Sequence, residues 1–184
     1  MSRAIILAAG RGSRMKEHTK EKPKCLNILA NDTLLNWQLK SLKEAGIEKI
    51  TVVNGYKSDL IKGNFETVTN KRWNETNMVA SLFCIPSTKS SAIISYSDIV
   101  YKSEHVNSLK KSNGDIVITA DLKWEELWKL RFENPLDDAE TFKSINGLLT
   151  NIGGKTNNIL DIEALYMGLL KLTSKGWNQM FNLF

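Results

Sequence analysis

Ala4-Ile5-Ile6-Leu7-Ala8-Ala9-Gly10-Arg11-Gly12-Ser13-Arg14-Met15 begins as an unbroken apolar run and turns, at Gly10, into a basic loop. A short continuous apolar run ending at glycine is the pattern of a strand buried on both faces, so Arg3 to Ala8 is expected to lie inside a parallel sheet. The glycines allow the backbone to approach an anion closely and turn its amides inward, and Arg14 adds a positive charge. A strand feeding such a loop is a natural opening for an α/β domain that handles phosphates.

Outward from this point the chain alternates. Gly10 to Lys24 reads as loop. Asn31 or Asp32 can cap a helix carrying Leu35, Leu39 and Leu42 at helical spacing, with Gly46 as its stop. Ile50 to Val53 is a second strand. Asn77 can cap a helix over Met78 to Ile85, and Ala92 to Ser95 is a third strand. A helix over Ser103 to Ser112 and a strand over Ile116 to Ala120 follow. This rhythm predicts an α/β fold: a Rossmann-like, doubly wound, mainly parallel or mixed sheet with helices on both faces. Later the rhythm changes. Asn146-Gly147 between apolar flanks marks a tight hairpin within Phe142 to Ile152. Leu165 to Leu172 is a further strand, and Ser174 opens a helix that runs to Phe184.

Two nucleotide motifs are excluded by spacing. A dinucleotide fingerprint needs a third glycine at position 15, where this chain has Met15. Gly153-Gly154-Lys155-Thr156 resembles the end of a P-loop, but the leading glycine would fall on Leu149. With neither a strand before it nor an amphipathic helix after it, it reads as a solvated loop.

The bulk composition narrows the class. The 184 residues are 42% hydrophobic and 24% charged, as in an ordinary globular chain, and suffice for one domain. No apolar run is long enough to span a bilayer and the N-terminal pattern is not that of a signal peptide. Cys25 and Cys84 make neither a disulfide framework nor a metal cluster, so a cytoplasmic setting is expected. The formal net charge of +5 suits a polyanionic partner, and its dispersal along the chain selects none.

Read together with Thr19 and Pro23-Lys24-Cys25-Leu26, the opening segment closely resembles the signature of the sugar-nucleotidyltransferase superfamily. The resemblance implies a nucleotidyltransferase-type fold in which the loop wraps a triphosphate. Leu7, Ala8, Ala9, Gly10, Arg11, Gly12, Ser13 and Arg14 would line it, with Arg14 and Lys24 neutralising its charge. Asp98, just past the carboxyl end of the strand Ala92 to Ser95, matches the family's metal aspartate; it would hold Mg²⁺, or Mn²⁺ in its place. Physics agrees, because ligands of open α/β sheets bind at that edge and one carboxylate plus phosphates is a usual Mg²⁺ set. A helix-capping role for Asp98 is the alternative.

Further segments are most similar to small cytidylyltransferases acting on phosphocholine and, above all, on 2-aminoethylphosphonate. They are Asn77-Met78-Val79-Ala80-Ser81-Leu82, Tyr96-Ser97-Asp98-Ile99-Val100, Asp121-Leu122-Lys123-Trp124, Leu127-Trp128, Asp138-Ala139-Glu140 and Tyr166-Met167-Gly168-Leu169. The resemblance implies transfer of CMP from CTP to a small phosphonate or phosphate monoester, with release of pyrophosphate and no nucleic acid or membrane partner. Tyr96 and Ser97 fall beside Asp98. Asn77 and Ser81, one helical turn apart, can present polar groups to base or ribose, although an N-cap explains Asn77 equally well.

Asp121, Trp124, Trp128, Asp138 and Glu140 mix rings and carboxylates, which suits an ammonium-bearing acceptor. Trp124 and Trp128 are equally readable as one buried helical face. The family's two-metal chemistry uses a second aspartate nearer the C-terminus. None is obvious here, so residues 1–184 are expected to be a single nucleotidyltransferase domain truncated at its C-terminal end, or Asp161 or Glu163 substitutes. A sugar-1-phosphate nucleotidyltransferase and a catalytically impaired nucleotide-binding relative are the alternatives, and a homodimer is left open.

Overall fold

The structure is a computed structural model that describes residues 3–86 and 90–184. Its elements are β1 (Arg3–Ala8), β2 (Ile28–Leu29), β3 (Asp32–Thr33), α1 (Leu34–Glu44), β4 (Ile50–Asn54), β5 (Glu66–Thr69), α2 (Met78–Leu82), β6 (Ala92–Tyr96) and α3 (Ser103–Lys111). β7 (Ile116–Asp121), α4 (Trp124–Arg131), β8 (Phe142–Ile145), β9 (Leu148–Ile152), β10 (Leu165–Leu172) and α5 (Ser174–Leu183) complete the chain. Two compact units are distinguished: residues up to Val117 together with Gly168–Phe184, and Ile118–Met167.

Six strands form one sheet in the order β5-β4-β1-β6-β10-β7. β1 pairs in parallel with β4 and β6, and β4 with β5, whereas β10 runs antiparallel to β6. The mixed, mainly parallel sheet is the fold class expected. Its centre is β1, whose residues from Ala4 to Ala8 are all buried. Alternation of the side chains puts Ala4, Ile6 and Ala8 into one cluster with Leu35 and Leu42 of α1 and Val106 and Leu109 of α3. Ile5 and Leu7 point to the opposite face, where α2 packs on β1.

Some boundaries differ from the sequence reading. α1 is capped by Thr33, whose Oγ accepts the Asn36 amide at 3.1 Å, and not by Asn31 or Asp32. Asp32 supports the cap instead, accepting from the Thr33 amide and the Asn36 side chain, each at 2.7 Å. The hydroxyl fits the cap because β3 brings Thr33 into extended backbone at the last residue before the helix. α2 is capped by Asn77 as expected but ends at Leu82, with Phe83 to Ile85 forming a turn. The edge strand β5 was not foreseen: Glu66-Thr67-Val68-Thr69 has one apolar residue and no buried face.

In the second unit, β8 and β9 form the anticipated hairpin, with Asn146 at φ 53° and Gly147 at φ 77° in its turn. A strand does precede Gly153, contrary to expectation, since β9 ends at Ile152. Every β9 residue is exposed and no helix follows directly, so the hairpin arm still lacks the P-loop context. The core of this unit gathers Trp124, Ala139, Ile162 and Leu165, flanked by Trp128 and Leu136.

Candidate active site

At the end of β1 the chain leaves the sheet through Ala9 and the exposed Gly10. Gly12 takes φ 71°, a left-handed conformation that side chains strain to adopt, and an added Cβ would lie 3.0 Å from the Lys24 side chain. The glycine therefore both turns the loop and lets Lys24 pass over it. Thr19, fully buried, donates its hydroxyl to the Gly12 carbonyl at 3.1 Å and fixes that turn from the other side. Pro23 and Cys25 are buried on either side of half-buried Lys24, anchoring the backbone that presents its ammonium. Burial pushes the Cys25 thiol up to about 12, so this cysteine is packing and not a nucleophile.

Lys24 Nζ lies 2.5 Å from Asp98 Oδ2. The two charged groups that the sequence singled out are thus in contact although 74 positions separate them. Their side chains are 28% and 32% exposed, open to ligand yet partly screened from water. Exposed Arg14 and Ser13 lie in the short 3-10 segment Ser13–Thr19 that follows Gly12. Arg11 lies over the Tyr56 ring, 5.6 Å from its centroid.

Two neighbouring segments hold the site, through residues the sequence reading did not name. Past β4, the Tyr56 amide donates to the Ala9 carbonyl at 2.9 Å and its hydroxyl to the Lys20 carbonyl at 2.6 Å. Trp73 meets the Tyr56 ring edge-on at 5.2 Å, and Lys57 pairs with Glu21 at 2.8 Å, holding the Glu21 carboxyl below its ordinary value. From α1, Gln38 is fully buried and donates to the carbonyls of Tyr96 at 2.9 Å and Ile99 at 2.7 Å. A polar residue inside the stripe Leu35-Gln38-Leu39-Leu42 is a signal the sequence did carry.

The remaining candidates are distributed as follows. Leu7, Ala8 and Ala9 are buried beneath the loop, and Tyr96 and Ser97 are half-buried at the end of β6. Asn77 is exposed but its side chain accepts the Ala80 amide at 3.0 Å. Ser81 is buried, donating to the Asn77 carbonyl at 3.2 Å and accepting from Asn70 at 3.0 Å. Both serve the start of α2.

Within the second unit, Trp124 is only 3% exposed and donates its indole N–H to the Ile162 carbonyl at 3.3 Å. Trp128 is half-buried, with Arg131 over its ring at 4.6 Å. Asp121 caps a turn by accepting the Lys123 amide at 2.8 Å, Asp138 is half-buried and Glu140 exposed. Asp161 accepts from Thr156 at 2.8 Å; Glu163 accepts the Ser144 amide at 2.9 Å, which with nearby Lys143 lowers its carboxyl from the ordinary value.

Among the described residues no group of three or more His, Cys, Asp or Glu side chains could enclose a metal. A lone carboxylate on an exposed turn, already facing a cation, does fit a Mg²⁺ whose other ligands come from substrate phosphates and water.

Comparison with known proteins gives the family. The MobA-like NTP transferase domain matches residues 4–130. The chain belongs to that family. This MobA-like NTP transferase is 40% identical over 183 residues to the CTP:phosphoglutamine cytidylyltransferase of Campylobacter jejuni, covering 92% of this chain and 72% of that one. It is 31% identical over 116 residues to the choline-phosphate cytidylyltransferase of Streptococcus pneumoniae, covering 60% of this chain and 51% of that one. The inositol-1-phosphate CTP transferase of T. maritima superposes with a TM-score of 0.71 at 19% identity, over 95% of this chain and 71% of that one. The chain therefore spans 51% to 72% of the length of these three proteins. No helix among the described residues is long and apolar enough to cross a membrane.

Proposed function

We propose that this MobA-like NTP transferase is a cytidylyltransferase that moves CMP from CTP to the phosphate of a small acceptor and releases pyrophosphate. The observation that carries the reading is the contact of Lys24 with Asp98 at the mouth of the Gly10–Arg14 loop. The likeness to CTP-using enzymes supports the choice of nucleotide, and the 40% identity to an enzyme of phosphoglutamine puts a phosphorylated, amide- or amine-bearing acceptor first.

The chemistry is an in-line displacement. An oxygen of the acceptor phosphate, ionised at neutral pH because its second pKa is about 6, forms a bond to the α-phosphorus. The bond from that phosphorus to the α,β-bridging oxygen breaks, and pyrophosphate carries the electron pair away. No covalent enzyme intermediate is required, so the protein's task is to position reactants and stabilise charge. Loop amides beyond Gly10 face the triphosphate, while Arg14 and Lys24 offset charge on the equatorial oxygens and the leaving group. Lys24 exchanges its carboxylate partner for phosphate as nucleotide binds. Asp98, freed of Lys24, is the residue that would hold Mg²⁺, which supplies electrostatic stabilisation to the phosphates when bound.

Pyrophosphate release is measured with CTP, UTP, GTP and dTTP against phosphoglutamine, phosphocholine, 2-aminoethylphosphonate and glucose 1-phosphate. Turnover with CTP and phosphoglutamine, abolished by EDTA and weakened by Asp98→Asn, is the expected result. Turnover confined to glucose 1-phosphate with another triphosphate would make the chain a sugar-phosphate enzyme. Nucleotide binding without any turnover would leave a binding protein.

A further inference from the structure

We propose that Gln38 is the positioning residue that aims Asp98. The inference rests on the reading of Asp98 as the metal carboxylate. β6 ends at Tyr96, so Ser97 and Asp98 lie beyond the strand's ladder, and the exposed turn has to be located by something else. Gln38 supplies that constraint. Its Nε2 carries two protons, and one goes to the Tyr96 carbonyl at 2.9 Å and the other to the Ile99 carbonyl at 2.7 Å. These carbonyls bracket Ser97-Asp98. The remaining acceptor, Oε1, takes the Ser95 hydroxyl at 2.9 Å.

The side chain is 0% exposed, so these bonds form away from competing water. A single amide thereby ties the strand end and both flanks of the metal turn to the middle of α1, itself packed in the main core. Glutamate lacks the two donors, methionine has no donor and only a weak thioether acceptor, and asparagine carries the amide on a stem one methylene shorter. An outer partner that orients a metal carboxylate typically governs metal affinity by 10- to 100-fold.

The test compares Gln38→Met, Gln38→Glu and Ser41→Ala in the full chain. Ser41 is the control, because it makes another bond from α1, to the Tyr101 carbonyl at 2.5 Å, beyond the bracketed turn. Calorimetry of CTP binding over a series of Mn²⁺ concentrations gives the metal midpoint, and melting temperature is recorded for each variant. Gln38→Met is expected to raise the midpoint about 10-fold, leave metal-free CTP affinity unchanged, and add nothing in an Asp98→Asn background. Gln38→Glu, which preserves shape, is expected to move it in the same direction and serves if Gln38→Met does not fold. Ser41→Ala lowers the melting temperature only. A folded Gln38 variant with the wild-type midpoint overturns the proposal, as does an equal shift from Ser41→Ala. If Asp98→Asn itself leaves the midpoint unmoved, the metal reading of Asp98 is what fails, whatever the Gln38 variants do.

Discussion

Lys24 passes close over Gly12, where an added Cβ would stand 3.0 Å from its side chain, and forms an ion pair with Asp98 from a distant part of the chain. Lys24→Ala and Arg14→Ala are each expected to lower kcat/KM for CTP by at least ~10²-fold, the scale of losing one fixed transition-state stabiliser. Neither side chain is in the core, so circular dichroism should show both variants folded. Near wild-type turnover in either variant removes that residue from the site. Both cations were legible in the sequence, because a glycine-rich loop with Pro23-Lys24 is a local pattern. The roles of Gln38 and Tyr56 were not, since they depend on carbonyls 58 and 36 positions away.

Helix α4 decides between two readings of Trp124 that the sequence left open. The indole is buried among Ala139, Ile162 and Leu165 with its N–H bonded, so its ring is a structural member of the second unit. Trp124→Ala is accordingly expected to cost about 3–5 kcal/mol of stability. A wild-type melting curve, paired with a raised KM for acceptor alone, would return the residue to the acceptor site.

Helix α5 offers an independent test of fit. Its first turn is capped by Thr173, which also donates to Asp115 Oδ1 at 2.7 Å, and Lys175 pairs with the same carboxylate at 3.0 Å. Gly176 passes so close that an added Cβ would stand 2.1 Å from the Asp115 carbonyl oxygen. Gly176→Ala, which helix propensity alone would favour, is expected to destabilise by about 1–3 kcal/mol through overpacking, read from urea melts. A stabilised variant would show that α5 can shift away from this backbone.

For the whole molecule, two buried acids contribute to the response to alkali. Burial raises the Cys25 thiol from 9.0 and the Tyr101 phenol from 10.0, each to about 12. Both ionise first in the unfolded chain, which therefore binds fewer protons than the native state above pH 9. Stability is unaffected by them below that pH and falls as pH rises, with each fully engaged group steepening the loss by at most ~1.4 kcal/mol per pH unit. Urea midpoints at pH 8, 9, 10 and 11 should show a decline that begins near 9 and steepens past 10. Tyr101→Phe should remove only the second part, and an unchanged profile in that variant would exclude the phenol as its cause.

What the sequence determined by itself was whatever depends on neighbours along the chain. The run Ala4 to Ala8 dictates a buried strand, Gly10 to Gly12 dictates a turn out of the sheet, and Asn146-Gly147 dictates a hairpin, because apolar periodicity and backbone sterics act over a few residues. Tertiary structure alone decided which distant groups meet. It brought Lys24 to Asp98, sent Gln38 from the middle of a helix to the end of β6, placed β10 antiparallel between β6 and β7, and made Trp124 packing. Those outcomes follow from satisfying buried polar groups and filling a core, conditions imposed by the folded whole and written in no single stretch of sequence.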